Sequence, residues 1–328
     1  MIRYFTFIGL LAVLLSAAQT LWADTDKTTQ AGQSLNAQGW YERMLEHSPG
    51  ANYSGIFVHQ AGNQTQSVEI VHGMKEGEIW ERLLHLDGQV REVIRRGDAL
   101  YCIHPNGAVE QVQQQGSSPF GNKPQGDFRQ LAHAYDFRLL GKQRIAGRLV
   151  VGVQLVPKDK IRHAYQLWID VETSVPLRTE LITLQGDVLE RYQFSYFKVS
   201  DGFKEAYFEP KNKGAKLELA TSGEVLQARE SDILEWRLNW MPTGFQDQAS
   251  KGHTPKLSAR RIYSDGIVMF SVYVEGVEKI QDEGTAQAGP TVLAVQHKQW
   301  QGKTHRITVV GEIPAPTAAR IAQSVELL

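Results

Sequence analysis

The chain carries many residue types that could do chemistry, but their spacing fits no catalytic or metal-binding pattern. It has ten histidines and one cysteine. It has no His-Glu-x-x-His motif, no histidine pair four residues apart and no paired cysteines, which are the spacings of zinc sites. No Gly-x-Ser-x-Gly turn presents a nucleophilic serine, and the acidic residues are scattered over turns. The sequence therefore predicts no enzyme, no metal site and no cofactor.

A set of arginines in consecutive predicted strands could bind an anion. A guanidinium group forms paired hydrogen bonds with phosphate or carboxylate, and this favours arginine at such sites. A solvated face of a sheet is the simpler interpretation of the same set, which also includes Arg162. The candidate phosphate or anion ligands are Arg82, Arg91, Arg95, Arg96, Arg144 and Arg148.

Large apolar residues alternate with polar ones in the same strands and define one apolar side of a sheet. An ordinary core explains most of them, but a strongly curved sheet with few covering helices often encloses a cavity. An apolar pocket with an arginine rim suits a phosphorylated lipid. The candidate lipid-cavity residues are Ile56, Val58, Ile79, Val93, Tyr101, Ile103, Trp168, Tyr192 and Phe194.

The strands that must position these residues form an antiparallel meander. Five segments alternate apolar and polar side chains with period two, and turns rich in Gly, Asp or Pro separate them, which is the pattern of consecutive hairpins. The segments are 138–145, 148–156, 162–170, 177–184 and 188–197. Earlier strands at 53–59, 66–72, 78–86, 89–95, 99–104 and 108–113 follow the same pattern. A loop at 114–126 is expected to lie over one edge of the sheet.

The first residues indicate export. Arg3 precedes an uncharged apolar run, and small residues follow it up to Ala23, as in a cleavable signal peptide. We expect cleavage after Ala23 or after Ala18, and a periplasmic location. Loss of Arg3 leaves 34 basic and 36 acidic residues, a net charge of −2, which does not favour nucleic acid. With Cys102 alone, no internal disulfide can form.

The remaining chain divides into two predicted domains. Residues 24–210 form the large β domain, 211–232 form a linker rich in Lys, Gly and Glu, and 233–328 form a small α+β domain. The small domain is predicted to have strands at 258–263, 267–274, 291–297 and 304–310, which pack with an amphipathic helix at 314–328. A first helix is predicted at 35–46. The fold class is mainly β.

Eight short stretches resemble the RseB/MucB family of periplasmic regulators of the envelope-stress sigma factor. The similarity runs in the same order through nearly the whole mature chain, except the linker and the first mature residues. The stretches are REVIRRG at 91–97, AYDF at 134–137, RIAGR at 144–148, WID at 168–170, PLR at 176–178, WMPTGF at 240–245, RIYSDG at 261–266 and VVGEIP at 309–314.

The resemblance implies more than the residues alone do. It implies a half-open antiparallel β-barrel like that of periplasmic lipoprotein carriers, followed by a small domain that helps to bind the partner. The implied partner is the periplasmic domain of a transmembrane anti-sigma factor, which the family shields from site-1 proteolysis. Lipopolysaccharide or another acyl lipid is the implied releasing ligand. The family has no catalytic residues to transfer. A carrier of lipids or lipoproteins is the alternative function. A homodimer is possible as well.

Overall fold

The computed structural model describes residues 35–113, 126–212, 217, 235–248, 260–280 and 282–328. The chain separates into two units, Met1–Leu35 and Asn36–Leu328, and the second contains the helices and strands described below. The expected signal peptide, nearly all of the expected loop at 114–126 and most of the expected linker lie outside the described residues.

The predicted meander is present as one antiparallel sheet of eleven strands. Its spatial order is β6-β5-β4-β3-β2-β1-β11-β10-β9-β8-β7, so β1 pairs with β11 and joins two runs of consecutive hairpins. The strands are β1 Tyr53–Ala61, β2 Gln64–Lys75, β3 Glu78–His85, β4 Glu92–Arg96, β5 Ala99–Ile103, β6 Val109–Gln113, β7 Tyr135–Ile145, β8 Arg148–Pro157, β9 Ala164–Asp170, β10 Pro176–Ile182 and β11 Val188–Val199.

The turn between β7 and β8 illustrates why the hairpins form where the sequence predicts them. Ala146 and Gly147 occupy it with φ of 48° and 76°. Two-residue hairpin turns of type I′ need positive φ at both central positions, and this twist matches that of the flanking strands. Alternating apolar residues then fix the register on either side.

The small domain contains a second antiparallel sheet of six strands and a separate pair. The six strands follow the order β13-β14-β15-β18-β17-β16, and β12 pairs with β19. The strands are β12 Trp236–Leu238, β13 Gln246–Asp247, β14 Arg260–Ser264, β15 Met269–Val277, β16 Gly284–Ala288, β17 Thr291–Trp300, β18 Lys303–Gly311 and β19 Val325–Leu327.

Three α-helices and two short 3-10 helices complete the described chain. In α1 (Ala37–His47) the Asn36 side chain caps the N-terminus by accepting a hydrogen bond from the Gly39 amide at 2.8 Å. Such caps satisfy amides that have no partner within the helix. The others are α2 (Phe128–Ala132), α3 (Ala315–Ser324) and the 3-10 turns Ser48–Gly50 and Glu205–Phe208.

One apolar core extends through both sheets. It includes Tyr41 and Met44 of α1, side chains of β8 and β9, and residues of the small domain such as Trp236 and Ile321. The buried stripe of α3 packs on β16, β17 and β18, as its amphipathic pattern predicts. The predicted fold class is confirmed: a large antiparallel sheet and a smaller C-terminal sheet covered by a helix.

Some elements differ from the predictions. The helix predicted at 314–328 ends at Ser324, because Val325–Leu327 turns to extended backbone and pairs with β12. The short strands β12, β13, β16 and β19 were not predicted from the sequence. The division at 211–232 stays a prediction.

Candidate binding surfaces

An aromatic cluster lies on one face of the large sheet where β1 and β11 pair. Neighbouring ring centroids are 5.0–6.0 Å apart in tilted and edge-on arrangements, the geometry in which aromatic quadrupoles attract each other. We define the aromatic cluster as Tyr53, Phe57, Tyr192, Phe194 and Phe197.

Gly55 allows the aromatic cluster to pack closely on the sheet. A Cβ atom at this position would lie 2.5 Å from the carbonyl oxygen of Tyr196 and 2.8 Å from the ring of Phe194. Real Cβ atoms do not approach other atoms so closely, and the backbone contact cannot move without disturbing the pairing of β1 and β11. The aromatic ring therefore occupies the space that any larger residue would need.

The polar atoms at the rim of the aromatic cluster already have partners. The His59 ring stacks on Tyr192 at 4.2 Å. The Glu190 carboxylate accepts a hydrogen bond from the Tyr192 hydroxyl at 3.0 Å and lies 2.8 Å from His59 Nε2. Burial and then the Glu190 charge raise the pKa of Tyr192 above its usual range, so this hydroxyl stays protonated. Each of these three groups at the rim has a hydrogen-bond partner, so none of them is free to act as a nucleophile or a base.

Side chains of the protein itself fill the space around the aromatic cluster. Phe57, Phe194 and Phe197 are only 5–8% exposed. Apolar residues from β7, β8 and β10, such as Ile145 and Leu177, pack against them. An acyl chain could therefore reach these rings only if side chains moved apart.

The structure divides the predicted lipid-cavity residues between the two faces of the large sheet. Val93 and Cys102 are register partners, as are Ile94 and Tyr101, and successive residues of a strand point to opposite faces. Val93, Trp168, Tyr192 and Phe194 belong to or pack against the apolar core that contains the aromatic cluster. Tyr101 and Ile103 pack on the other face with Ile94 and Leu217. Ile56, Val58 and Ile79 are half-buried. The lipid role of these residues stays a prediction.

Three of the predicted anion-binding arginines form internal contacts on neighbouring strands. Arg82 is buried and donates to Glu69 at 2.7 Å. Arg95 donates to the Gly97 carbonyl at 2.9 Å. Arg96 donates to Glu209 at 2.7 Å and its guanidinium lies 5.0 Å from the Trp80 ring centroid. These contacts hold turns and the segment after β11 against the sheet.

The other three candidates differ in exposure. Arg148 forms two hydrogen bonds with Asp170, at 2.9 and 2.8 Å, and a third with Glu172. Burial alone would raise the pKa of Asp170, but hydrogen bonds from Arg148 and Thr173 outweigh it and leave that pKa below its usual range. Arg91 and Arg144 are exposed. The six arginines therefore do not converge on one point.

A buried ion pair joins the large sheet to the small one. Arg162, two residues before β9, and Asp265, in the turn before β15, are 0% and 2% exposed. Arg162 Nη1 donates to Asp265 Oδ2 at 2.7 Å, and the Tyr135 hydroxyl donates to the same oxygen at 3.0 Å. Asp265 Oδ1 accepts from the amides of Ile267 and Val268 at 3.0 Å.

Aromatic and backbone groups complete this junction. The Arg162 guanidinium lies 5.4 Å from the Tyr135 ring centroid and 5.3 Å from that of Phe245, within cation–π range. Its Nη2 donates to the Thr243 carbonyl at 2.6 Å. Burial and then the Asp265 charge raise the pKa of Tyr135 well above its usual value, so the hydroxyl remains a donor. We define the junction as Tyr135, Arg162, Phe245 and Asp265.

The junction lies where the stretches that carry the family resemblance meet. Tyr135 comes from AYDF, Phe245 from WMPTGF and Asp265 from RIYSDG. The solvent-exposed interpretation of Arg162 is wrong, because its charge is fully buried against Asp265. Sequence reasoning missed this pairing, since the two residues are 103 positions apart. The available signal in the sequence was the Asp265-Gly266 turn, which lies inside the RIYSDG stretch that carries the family resemblance.

The described residues contain no group of three or more acidic, His or Cys side chains that could hold a metal ion. No helix in the described ranges is long and apolar enough to cross a membrane. The described structure offers two β-sheets with extended faces and edges, joined by a buried ion pair and a shared apolar core.

Two family models match the chain. The MucB/RseB N-terminal domain matches residues 36–213, and the MucB/RseB C-terminal domain matches residues 230–326. The sigma factor AlgU regulatory protein MucB of Pseudomonas aeruginosa is 32% identical over 301 residues, 90% of this chain and 92% of that protein. The sigma-E factor regulatory protein RseB of Escherichia coli K12 is 28% identical over 323 residues, 96% of each.

Solved structures agree with the sequence comparison. The complex of Pseudomonas aeruginosa MucA and MucB superposes with a TM-score of 0.71 at 28% identity, covering 89% of this chain and 98% of that one. A second structure, of MucB in complex with MucA(peri), gives 0.69 at 29% identity, covering 89% and 99%. Sequence and fold match over both sheets and through the junction, and the chain therefore belongs to the MucB/RseB family.

Proposed function

We propose that this protein regulates an envelope-stress sigma factor by binding the periplasmic domain of a transmembrane anti-sigma factor and shielding it from site-1 proteolysis. The observation that carries the proposal is similarity over nearly the whole chain to MucB, which has been solved in complex with MucA. Shared fold alone would not support a shared partner, but here both domains match in sequence as well.

The physical properties of the chain fit a binding role without covalent chemistry. The junction fixes the large sheet against the small one through a buried charge pair and a continuous apolar core. A preorganised surface loses less freedom on binding than a loose one. We propose that the protein is not an enzyme and holds no cofactor.

Binding and protection can be measured together. The purified mature chain is titrated with the periplasmic domain of the anti-sigma factor from the same organism, and the site-1 protease is then added. We expect a saturable complex and slower cleavage of the bound partner in proportion to occupancy. Binding without protection would reject the shielding role, and absence of binding would reject the whole proposal.

We propose lipopolysaccharide or another acyl lipid as the releasing ligand, although the closed aromatic cluster sets a condition on it. Acyl chains must displace the side chains that fill the cluster, so lipid uptake must rearrange those side chains. Lipid binding is compared between the wild type and a variant with Arg91, Arg95 and Arg96 replaced by Ala. The matched control is Arg237→Ala, an exposed arginine of the small domain. Equal lipid affinity in the triple variant would reject the arginine role.

A carrier of lipids or lipoproteins is the alternative function. A carrier would bind many cargoes, whereas a regulator would bind one membrane-anchored partner. Affinity capture from an envelope extract separates the two: a single-pass anti-sigma factor supports regulation, and a mixture of lipoproteins supports transport.

We propose a periplasmic location, reached through the signal peptide. Mass spectrometry of the protein from a periplasmic extract is expected to give an N-terminus at Asp24 or Gln19. An intact Met1 in the membrane fraction would contradict export with cleavage.

A further inference from the structure

The edge strand β16 differs from the other sheet edges of the described chain. β7 carries Arg138, Lys142 and Arg144 and a bulge near Leu139. β13 has only two residues, and β6 contains Glu110. Charges, bulges and short length are the usual means of blocking an edge from pairing with another chain. β16 has five residues in regular register with β17 and has no charge, proline or bulge.

The backbone of β16 is available for another strand. All five residues are exposed, and no strand of the described chain lies beyond it in the sheet. Ala288 pairs with Thr291 across a two-residue turn, and the pair that closes such a turn is hydrogen-bonded. Because bonded and non-bonded pairs alternate, the N–H and C=O groups of Thr285 and Gln287 point away from β17.

Side-chain sizes next to this edge leave a notch for a larger residue. On the face of the small sheet that is opposite to buried Val292 and Ala294, Ala286 of β16 pairs in register with Leu293 of β17. Leu293 in turn pairs with Val310 of β18. Leu293 is 38% exposed, since the alanine beside it is too small to cover it. A strand added beyond β16 would cover Leu293 if it placed a large apolar side chain beside Ala286.

Both ends of β16 help to define the occupant. Exposed Asp282 lies two residues before Gly284, which favours a basic residue at that end of an added strand. Glu283, between them, already accepts a hydrogen bond from the His297 amide. At the other end, Gly289 approaches Ala61 and Gly62 of the β1–β2 turn, where a Cβ on Gly289 would lie 3.3 Å from the Gly62 nitrogen. A strand that continued past Ala288 would therefore reach the large sheet too.

We propose that β16 is the docking edge for an extended segment of the anti-sigma partner, which adds a strand to the small sheet. The segment has large apolar residues at alternate positions and a basic residue at the end beside Asp282. Main-chain hydrogen bonds give such strand addition its affinity, and side-chain pockets give its specificity. This inference rests on the proposed function and adds the place and conformation of the contact.

The test removes one outward amide without changing the pairing to β17. Gln287→Pro deletes the N–H that faces solvent, a change that edge strands tolerate. Gln287→Ala is the matched control, because it keeps that N–H. We expect Gln287→Pro to bind the periplasmic domain of the anti-sigma factor about tenfold to a hundredfold more weakly, since one buried partner carbonyl loses its donor. The affinity of the Gln287→Ala variant for the partner should stay within about twofold of that of the wild type, whereas a loss of 1.4 kcal/mol would weaken it about tenfold.

Amide hydrogen exchange on the wild type provides an independent measurement, which holds even if the proline variant does not fold. The Thr285 and Gln287 amides should become protected only in the complex. Wild-type affinity in a folded Gln287→Pro variant, or unprotected amides in a saturated complex, would overturn the edge contact and leave the proposed function intact. Absence of binding by the wild type would instead remove both.

Discussion

Asp265 of the junction gives the sharpest test of how the two sheets are held together. Replacing it with Ala removes the acceptor for Arg162, for the Tyr135 hydroxyl and for two turn amides, all within 3.0 Å. The guanidinium would keep Asp159 and the Thr243 carbonyl as partners. We expect Asp265→Ala to destabilise the fold strongly. The Tyr135 hydroxyl and two turn amides lose their acceptor, and the buried guanidinium keeps only the partly exposed Asp159 as a counter-charge among its described contacts.

The size of the effect follows from burial. Breaking a buried ion pair by removing one partner costs about 3–5 kcal/mol of unfolding free energy, and each orphaned buried donor costs about 1–3 kcal/mol unless water reaches it. We therefore expect about 4 kcal/mol or more for Asp265→Ala. An exposed pair is worth at most about 1 kcal/mol. Glu275→Ala, which breaks the exposed pair with Arg306, is the matched control.

Urea unfolding followed by tryptophan fluorescence measures these differences, since Trp236 is 1% exposed in the shared core. The double variant Arg162→Met with Asp265→Ala removes both charges. It should be destabilised by about 3 kcal/mol less than the sum of the two single variants, because each single variant leaves a buried group that has lost its main charged partner and the double variant does not. Asp265→Ala within about 1 kcal/mol of the Glu275→Ala control, or additive single effects, would refute the reasoning.

Two further predictions concern stability. Burial lowers the pKa of His163 from 6.5 to about 4, so between these pH values the unfolded chain binds a proton that the folded chain does not. Unfolding free energy should then fall by up to about 3 kcal/mol as the pH drops through this window. His163→Leu should remove that dependence in urea titrations, whereas His104→Gln, at an exposed site, should keep it. Gly55→Ala should lower the free energy of unfolding by about 2 kcal/mol through overpacking. Gly276→Ala, where a Cβ meets nothing within 4 Å, should change it little, and equal free energies for the two variants would contradict the packing at Gly55.

The sequence was a good guide wherever structure depends on local pattern. Alternating side chains and Gly-containing turns predicted the eleven-stranded meander, because strand period and turn chemistry are short-range properties. They did not predict β16, whose sequence Gly-Thr-Ala-Gln-Ala has one β-branched residue and no apolar alternation. Its pairing is set by β17 and by the turn at Gly289. The burial of Arg162 was missed for a related reason, since its partner is distant in sequence.

The arrangement of the two candidate surfaces constrains how a lipid could release the partner. A strand can add to β16 without any change in the fold, since that edge is already exposed. A lipid at the aromatic cluster, by contrast, must displace buried side chains such as Phe57 and Phe194. A ligand shifts an equilibrium only by its differential affinity for the two states. Release by lipid therefore requires that opening the cluster weaken the edge contact, and about 3 kcal/mol of such coupling would change partner affinity by roughly a hundredfold.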